Sequence, residues 1–345
     1  MPATCLVVTS IAGPTPRLRA LAAGAAAHGW HFVLVGDEAS PARFELPGCE
    51  FYGLERQREL RFATAAVCPT RSYARKNLGY LLAMARGADA IVETDDDSLA
   101  AEVFWRRRER RRRAHVLVEH GWTNVYRYFS DAPIWPRGFP LEEVRNVAPP
   151  FASLQSAEVD APIQQGLVDD DPDVDAVYRL TGALPIRFAA APAVALGRGA
   201  WCPFNSQNTT WWRDAFPLMY LPATCSFRLT DIWRSFVAQR IAWANGWSVL
   251  FHRATVRQLR NDHDLMRDFR DELDGYLANR AICAELATLE LPAGREDLPT
   301  AMRMAYRALV ARGWIADREL ELLDAWLADV AAVCVTDGVL PVSSV

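Results

Sequence analysis

Three consecutive carboxylates, Asp95, Asp96 and Asp97, are the residues of this sequence best suited to chemistry. Two unit charges about 4 Å apart repel by roughly 1 kcal/mol in water and by about 4 kcal/mol at an effective dielectric constant of 20. At the end of a buried strand, at least one carboxylate would be driven toward protonation unless a cation balanced the charge. Hard oxygen ligands suit Mg²⁺ or Mn²⁺, which share their coordination shell with substrate phosphates. The triplet therefore predicts a divalent-metal site for a phosphorylated ligand.

The roles of the three aspartates depend on the conformation of the chain. In an extended segment, Asp95 and Asp97 lie on one face and Asp96 lies on the other. We then expect Asp95 and Asp97 to bind the metal and a ribose hydroxyl, while Asp96 orients a neighbouring group. The alternative is a solvated turn before Ser98. The apolar segment 88–94 favours the site, because ligands of open α/β sheets bind at the carboxyl ends of strands.

The elements that position this triplet can be predicted from hydrophobic patterning. Residues 4–9, 31–35 and 88–94 are short apolar runs typical of buried strands, and 17–28 is an Ala/Leu-rich helix. Ser72 is a candidate cap for a helix that ends at Gly87. Strand, helix and strand in this order predict a parallel sheet of the βαβ kind.

The remainder of the chain divides into a loop-rich middle and a helical end. Residues 133–208 are rich in Pro, Gly and Asp and predict loops and short strands around a pocket. A helix at 231–245 and a strand at 249–252 follow, and the pattern is helical from 264 onward. The arginine-rich run 106–113 predicts a solvated helix. We expect a catalytic domain at 1–262 and a C-terminal helical extension at 263–345.

Composition limits the classes of function. The 345 residues are 51% hydrophobic and carry a formal net charge of -4, which argues against nucleic acid as a partner. The seven cysteines are scattered and never spaced as CxxC, which predicts reduced thiols and a cytoplasmic location. No apolar run approaches the ~18 residues of a membrane span, so none is expected.

Several sequence blocks resemble known glycosyltransferases. SYARKNLG (72–79) and ADAIVETDDD (88–97) resemble the A-R-N-x-G and D-x-D signature of GT-A glycosyltransferases. Five longer blocks resemble the STELLO-type glycosyltransferase family: GWTNVYRYF (121–129), IWPRGFPL (134–141), GLVDDDPDVDAVYRLT (166–181), CPFNSQNT (202–209) and SFRLTDIWRS (226–235). The resemblance covers roughly residues 60–270. A more distant likeness is to UDP-arabinopyranose mutases, which also carry an aspartate triplet.

The resemblance implies a GT-A-like nucleotide-diphospho-sugar-binding fold, with a mixed, mostly parallel sheet flanked by helices. It also implies a nucleotide-sugar donor, with UDP expected, and Mn²⁺ or Mg²⁺ as cofactor. Thr9 and Ser10 end the first strand, where GT-A proteins hold the base; the alternative is an ordinary turn. Arg75, Lys76 and Asn77 could bind the nucleotide and diphosphate by charge-assisted hydrogen bonds, or could form an exposed helix face.

Asp231 opens a helix and is the candidate general base for an acceptor hydroxyl. Its alternative role is a favourable interaction with the helix dipole. The resemblance implies a late metal ligand, for which His252 and His263 are candidates, although a lone histidine is more often structural.

Further polar side chains of the middle region are expected to hydrogen-bond the sugar: Asp173, Asp175, Asn205, Gln207 and Asn208. Their alternative is a solvated polar loop. Together these features predict transfer of a sugar from a nucleoside-diphosphate donor to an unidentified hydroxyl acceptor. The rival functions are a nucleotide-sugar mutase, a non-catalytic sugar-nucleotide-binding protein and, less well supported, a metal-dependent phosphohydrolase.

Overall fold

The computed structural model describes residues 3–259 and 264–335, so His263 lies outside the described residues. The strands are β1 (Thr4–Thr9), β2 (His31–Val35), β3 (Glu50–Tyr52), β4 (Ala90–Thr94), β5 (Ser98–Ala100), β6 (Arg111–Leu117), β7 (Gly121–Trp122), β8 (Gln155–Asp160), β9 (Ile163–Asp170), β10 (Val194–Leu196), β11 (Ala200–Trp201), β12 (Asn208–Trp212) and β13 (Val249–Gln258). The helices are α1 (Pro16–Ala27), α2 (Leu54–Arg58), α3 (Ala63–Val67), α4 (Lys76–Ala85), α5 (Ala176–Thr181), α6 (Thr230–Ala244), α7 (Leu265–Asp271), α8 (Leu273–Thr288), α9 (Leu298–Ala311) and α10 (Arg318–Val335).

Eleven strands form one mixed sheet with helices packed against it. The order is β3-β2-β1-β4-β12-β9-β13-β10-β6-β8, with β5 beside β13, while β7 and β11 form a separate pair. Strands β1 to β4 are mutually parallel, and β9, β13 and β8 point the same way, so seven of the eleven strands share one direction. The predicted α/β fold with a mixed, mostly parallel sheet is confirmed.

The elements that carry the aspartate triplet form as the sequence predicts. Strands β1 and β2 have the expected bounds, and the side chain of Ser72 caps a 3₁₀ turn that leads directly into α4. Gly79 lets α4 lie close to the sheet. A Cβ at this position would come 2.6 Å from Val7 Cγ1 and 2.9 Å from Val35 Cγ2.

Two segments differ from expectation. Strand β9, between β12 and β13, is a long and largely buried strand inside the region expected to be loops and short strands. The helix predicted at 106–113 is wrong, because Arg111 begins strand β6, which pairs with β8. Two of these arginines have acidic partners: Arg110 Nε donates to Asp160 Oδ1 at 2.6 Å, and Arg111 Nε lies 3.7 Å from Asp160 Oδ2.

The C-terminal helices bind the rest of the chain through buried carboxylates. Asp329 on α10 accepts hydrogen bonds from the backbone N–H groups of Ala63 (2.9 Å) and Thr64 (2.7 Å) at the start of α3. Glu319 accepts the N–H of Thr224 at 2.7 Å. In the part of the chain that the structure describes, every helix is too short or too polar to cross a membrane.

Candidate active site

A cavity of about 890 Å³ opens at the carboxyl ends of β1, β2 and β4. Parallel strands bring these ends to one edge of the sheet, which is where α/β proteins bind ligands. Nine of the predicted site residues line the cavity: Thr9, Ser10, Arg75, Asp95, Asp96, Asp97, Asp173, Gln207 and Asp231. The structure therefore brings these nine residues together around one cavity.

The wall formed by β1 and β2 is held by side chains that bind neighbouring backbone and carboxylate groups. Asp37, just after β2, accepts the N–H groups of Arg71 (3.0 Å) and Ser72 (2.9 Å), and so fixes the turn that precedes α4. Ser10, just after β1, donates its hydroxyl to Asp96. These contacts join the ends of three strands into one rim.

The aspartate triplet lies in a turn and does not stay extended. The N–H of Ser98 donates to the carbonyl of Asp95 at 3.2 Å, and the chain reverses at Asp96 and Asp97 before β5 begins. The expectation that Asp95 and Asp97 share one strand face is therefore wrong, since the alternation of an extended strand ends at Thr94. The turn instead exposes all three carboxylates to the same cavity.

Each carboxylate of the triplet has a different neighbour. Asp95 Oδ1 accepts the hydroxyl of Tyr73 at 3.1 Å, and Asp97 Oδ1 accepts the amide of Gln258 at 2.7 Å. The Lys76 ammonium, whose side chain is fully buried, lies 3.7 Å from Asp95 Oδ1. Lys76 is therefore an internal cation that partly balances the triplet.

Burial raises the pKa of Asp95 to about 7; Lys76 opposes this rise, while Asp97 and Asp96 add to it by repulsion. The pKa of Asp96 is raised as well, chiefly by burial, against the opposing hydrogen bond from Ser10. One lysine therefore does not neutralise the three carboxylates, which is the imbalance that a divalent cation would correct.

The chemistry of these donors fits a hard cation whose coordination is completed by a ligand. Within residues 3–259 and 264–335, no group of three or more His, Cys, Asp or Glu side chains converges well enough to hold a metal ion. Mg²⁺ commonly binds through one or two carboxylates together with substrate phosphates and water. Asp95 and Asp97 suit that mode of binding.

His252 lies away from the triplet. It pairs with Gly166 across β9 and β13, its Nδ1 is 2.9 Å from the carbonyl of Arg253, and it does not line the cavity. Burial and the nearby Arg108 guanidinium lower its pKa to about 3. The structure gives His252 the features of a buried neutral core histidine.

The cavity also contains a buried ion network centred on Arg137. Its guanidinium donates to Asp173 through Nε and Nη2, both at 2.7 Å, and Nη2 also donates to Asp231 Oδ1 at 3.0 Å. The N–H and hydroxyl of Ser206 donate to Asp231 Oδ2, each at 3.1 Å. Asp231 thus lies in the first turn of α6 and is also fixed by side chains outside that helix.

Other predicted site residues do not line the cavity. Asn77 binds the backbone N–H and carbonyl of Leu221, both at 2.9 Å. Asp175 caps α5 and accepts the indole N–H of Trp135 at 2.6 Å; burial raises its pKa to about 7. Asn205 and Asn208 are buried: the side-chain oxygen of Asn205 accepts the N–H of Gln207 at 3.0 Å, and the amide of Asn208 on β12 donates to the carbonyl of Leu167 on β9 at 3.0 Å. These amides and this carboxylate satisfy backbone and side-chain groups of the core.

Several lining residues were not predicted. Arg137 and Tyr73 belong to the blocks IWPRGFPL and SYARKNLG, but nothing in either block marks one residue as a cavity residue. Phe227 is 58% exposed although it is aromatic, and it contacts the ring of Tyr73 edge-on at 5.5 Å between centroids. Phe227 therefore presents apolar surface at the edge of the cavity.

The fold and this acidic edge site define a GT-A-like α/β protein. The family model described as "STELLO glycosyltransferases" matches residues 228–338. "Probable glycosyltransferase STELLO1" of Arabidopsis thaliana is 29% identical over 95% of this chain and 44% of its own length. "Probable glycosyltransferase STELLO2" of the same plant is 31% identical over 79% of this chain and 37% of its own length. The chain belongs to the STELLO-type glycosyltransferase family, and it spans less than half the length of these relatives.

Proposed function

We propose that this protein transfers a sugar from a nucleoside-diphosphate donor, with UDP as the nucleotide, to a hydroxyl acceptor. One observation carries the proposal. The turn that follows β4 lies beside the carboxyl ends of β1 and β2, and its residues Asp95, Asp96 and Asp97 line an 890 Å³ cavity. Membership of the STELLO family supports the reaction class. The cavity volume suits a small-molecule ligand.

The polarity of the cavity suggests an orientation for the donor. The nucleoside would lie against Thr9, Ser10 and the end of β2, and the diphosphate would lie at the triplet. The sugar would then extend toward Arg137 and Asp231. Mn²⁺ or Mg²⁺ held by Asp95 and Asp97 would neutralise charge on the leaving diphosphate.

Asp231 is the proposed general base. Among the residues that the structure describes, Arg137 and the N–H and hydroxyl of Ser206 all donate to its Oδ2. Its Oδ1 accepts one hydrogen bond, from Arg137. Oδ1 therefore retains the greater capacity to accept a proton from an acceptor hydroxyl.

Calorimetric titration with UDP tests the donor site directly. Carboxylates and diphosphate repel each other without a cation, so we expect binding with Mn²⁺ and little or none with EDTA. Equal UDP affinity under both conditions would contradict the metal bridge. No UDP binding under either condition, in protein that is folded, would contradict the proposed donor.

The base is tested with Asp231→Asn, which keeps the shape of the side chain. General-base catalysis contributes about 10²- to 10⁴-fold, so turnover should fall in that range while UDP affinity is kept. Asp324→Asn is the matched control, because Asp324 is an exposed partner of Arg303 far from the cavity residues. Unchanged turnover in Asp231→Asn rules out the base.

A further inference from the structure

Helix α8 and the residue before it contact the chain segments that carry Asp173, Arg137 and Asp231. We call these three residues the acceptor end of the cavity. Glu272, which directly precedes α8, is 1% exposed and binds the guanidinium of the cavity residue Arg228, with Nε and Nη2 at 2.8 and 2.7 Å from Oε1. Its Oε2 accepts the N–H of Ala176 at 2.7 Å and the hydroxyl of Tyr276. Three hydrogen bonds and the charge of Arg228 therefore hold this carboxylate in place.

The groups that Glu272 holds belong to the two chain segments that carry the acceptor-end carboxylates. Ala176 begins α5 three residues after Asp173, and Arg228 precedes Asp231 by three residues. The carbonyl of Arg228 also accepts a hydrogen bond from Arg137, which binds both carboxylates. Glu272 therefore forms a direct hydrogen bond with each segment and is linked to Arg137 through Arg228.

A polar side chain of α8 itself, Asn279, also contacts the segments on either side of the cavity network. Asn279 accepts the indole N–H of Trp233 at 2.9 Å and donates to the carbonyl of Gly138 at 2.8 Å. Gly138 follows Arg137 and packs so tightly on Ile232 that an added Cβ would lie 2.3 Å from its Cγ2. Buried polar contacts of this kind fix orientation, since each unpaired group would carry a desolvation cost.

We propose that Glu272 is a positioning residue, which sets the relative placement of Asp173, Arg137 and Asp231 through its bonds to Arg228 and Ala176. In this arrangement the C-terminal helical segment completes the acceptor half of the site, while the triplet half is built by β1, β2, β4 and α4. The kinetic part of this proposal rests on the proposed transferase function.

Hydrogen exchange of the ligand-free protein tests the contact itself, without any assumption about the reaction. Glu272→Gln keeps the size of the side chain and removes its charge. We expect faster exchange in peptides covering 172–178 and 226–232 and unchanged exchange at 94–100. Glu285→Gln is the matched control, because Glu285 lies on the same helix and pairs with Arg312, away from the cavity. It should leave all three regions unchanged.

Kinetics then separate positioning from general support of the fold. In Glu272→Gln, kcat should fall by about 10- to 100-fold, because a small misplacement of reacting groups costs that much. The UDP affinity measured with Mn²⁺ should stay within about twofold, since the triplet half is untouched. Glu272→Asp keeps the charge with a shorter reach and should show the same pattern to a lesser degree; it replaces the glutamine variant should that one not fold.

The outcomes are distinguishable. Unchanged exchange in both Glu272 variants overturns the proposal, and so does a kcat equal to that of the parent despite faster exchange. Equal losses of kcat and UDP affinity also overturn it, because they indicate a collapsed cavity. Faster exchange at the two segments, in a protein whose parent form shows no transfer at all, supports the contact and counts against the proposed function instead.

Discussion

The buried ion pair between Glu93 and Arg234 offers the sharpest test of how this site is built. The two side chains are 0% and 1% exposed, and they form two hydrogen bonds of 2.8 and 3.1 Å. Glu93 also accepts the indole N–H of Trp211 at 2.8 Å and the hydroxyl of Tyr80. The pair joins β4, two residues before Asp95, to α6.

Removing the charge from one partner should be costly. Glu93→Gln keeps one oxygen that can accept from Trp211 and places an NH₂ group beside the Tyr80 hydroxyl, which can accept from it, but leaves the Arg234 guanidinium buried without a counter-charge. Loss of one member of a buried ion pair costs about 3–5 kcal/mol of unfolding free energy. Arg234→Met leaves Glu93 as an uncompensated anion and should cost a similar amount.

The double variant Glu93→Gln with Arg234→Met distinguishes charge from packing. It has no buried charge, and the glutamine still accepts from Trp211, so it should cost less than either single change. Because the double loss is smaller than either single loss of about 3–5 kcal/mol, the cycle should give a coupling energy of more than about 3 kcal/mol. Urea unfolding followed by tryptophan fluorescence measures all four proteins. Additive losses would refute the reasoning, as would a loss below about 1 kcal/mol in Glu93→Gln.

Three further predictions concern the triplet, the core histidine and the packing of α4. Asp97→Ala should abolish Mn²⁺-dependent UDP binding in calorimetry while the metal-free protein still folds, and a large fall in its melting temperature would indicate a structural turn instead. The pKa of His252 is lowered from 6.5 to about 3, so only the unfolded state takes up a proton as pH falls below 6.5. Stability should thus drop by about 2 kcal/mol more between pH 7.5 and 5 in the parent than in His252→Gln, and equal slopes in denaturant titrations would contradict this. Gly79→Ala should cost about 1–3 kcal/mol by the same titrations, because its Cβ would meet Val7 at 2.6 Å, and an unchanged midpoint would show that α4 can move.

The parts of the fold that sequence patterning predicted are those whose local signals agree with their tertiary environment. Strand β1 is apolar and buried, and Ser72 caps the turn that opens α4. The helical pattern expected from residue 264 onward is observed as α7 to α10, and Leu323 and Trp326 on α10 are fully buried. Burial and capping act over a few residues, so such elements can be predicted from the sequence alone.

The parts that could not be predicted depend on partners distant in sequence. Strand β9 contains the polar residues Gln164 and Gln165, which conceal a central strand in the sequence. Their side-chain amides are satisfied inside the protein by the carbonyls of Glu109 and Asn208, which are distant in sequence. The arginine run enters strand β6 because β8 supplies a paired edge, where Asp160 also lies 3.7 Å from Arg111. Likewise Arg137 becomes a site residue only because Asp173 and Asp231 converge on it.

Two sets of polar contacts connect the triplet to Asp231 and fix the distance between them. One set is buried in the core, and the other lies at the surface of the cavity. In the core, Glu93 and Arg234 join strand to helix. At the cavity surface, the hydroxyl of Tyr73 contacts Asp95 at 3.1 Å and the hydroxyl of Ser206 at 2.6 Å, and Ser206 in turn donates to Asp231 at 3.1 Å. Carboxylates on β4 and α6 repel each other, so apolar packing alone would leave their separation loosely defined. Transfer requires leaving group and base in one geometry, and a misplacement of about 1 Å costs roughly 10²-fold in rate. The residues that set this geometry are therefore as necessary to the proposed reaction as those that would touch the donor.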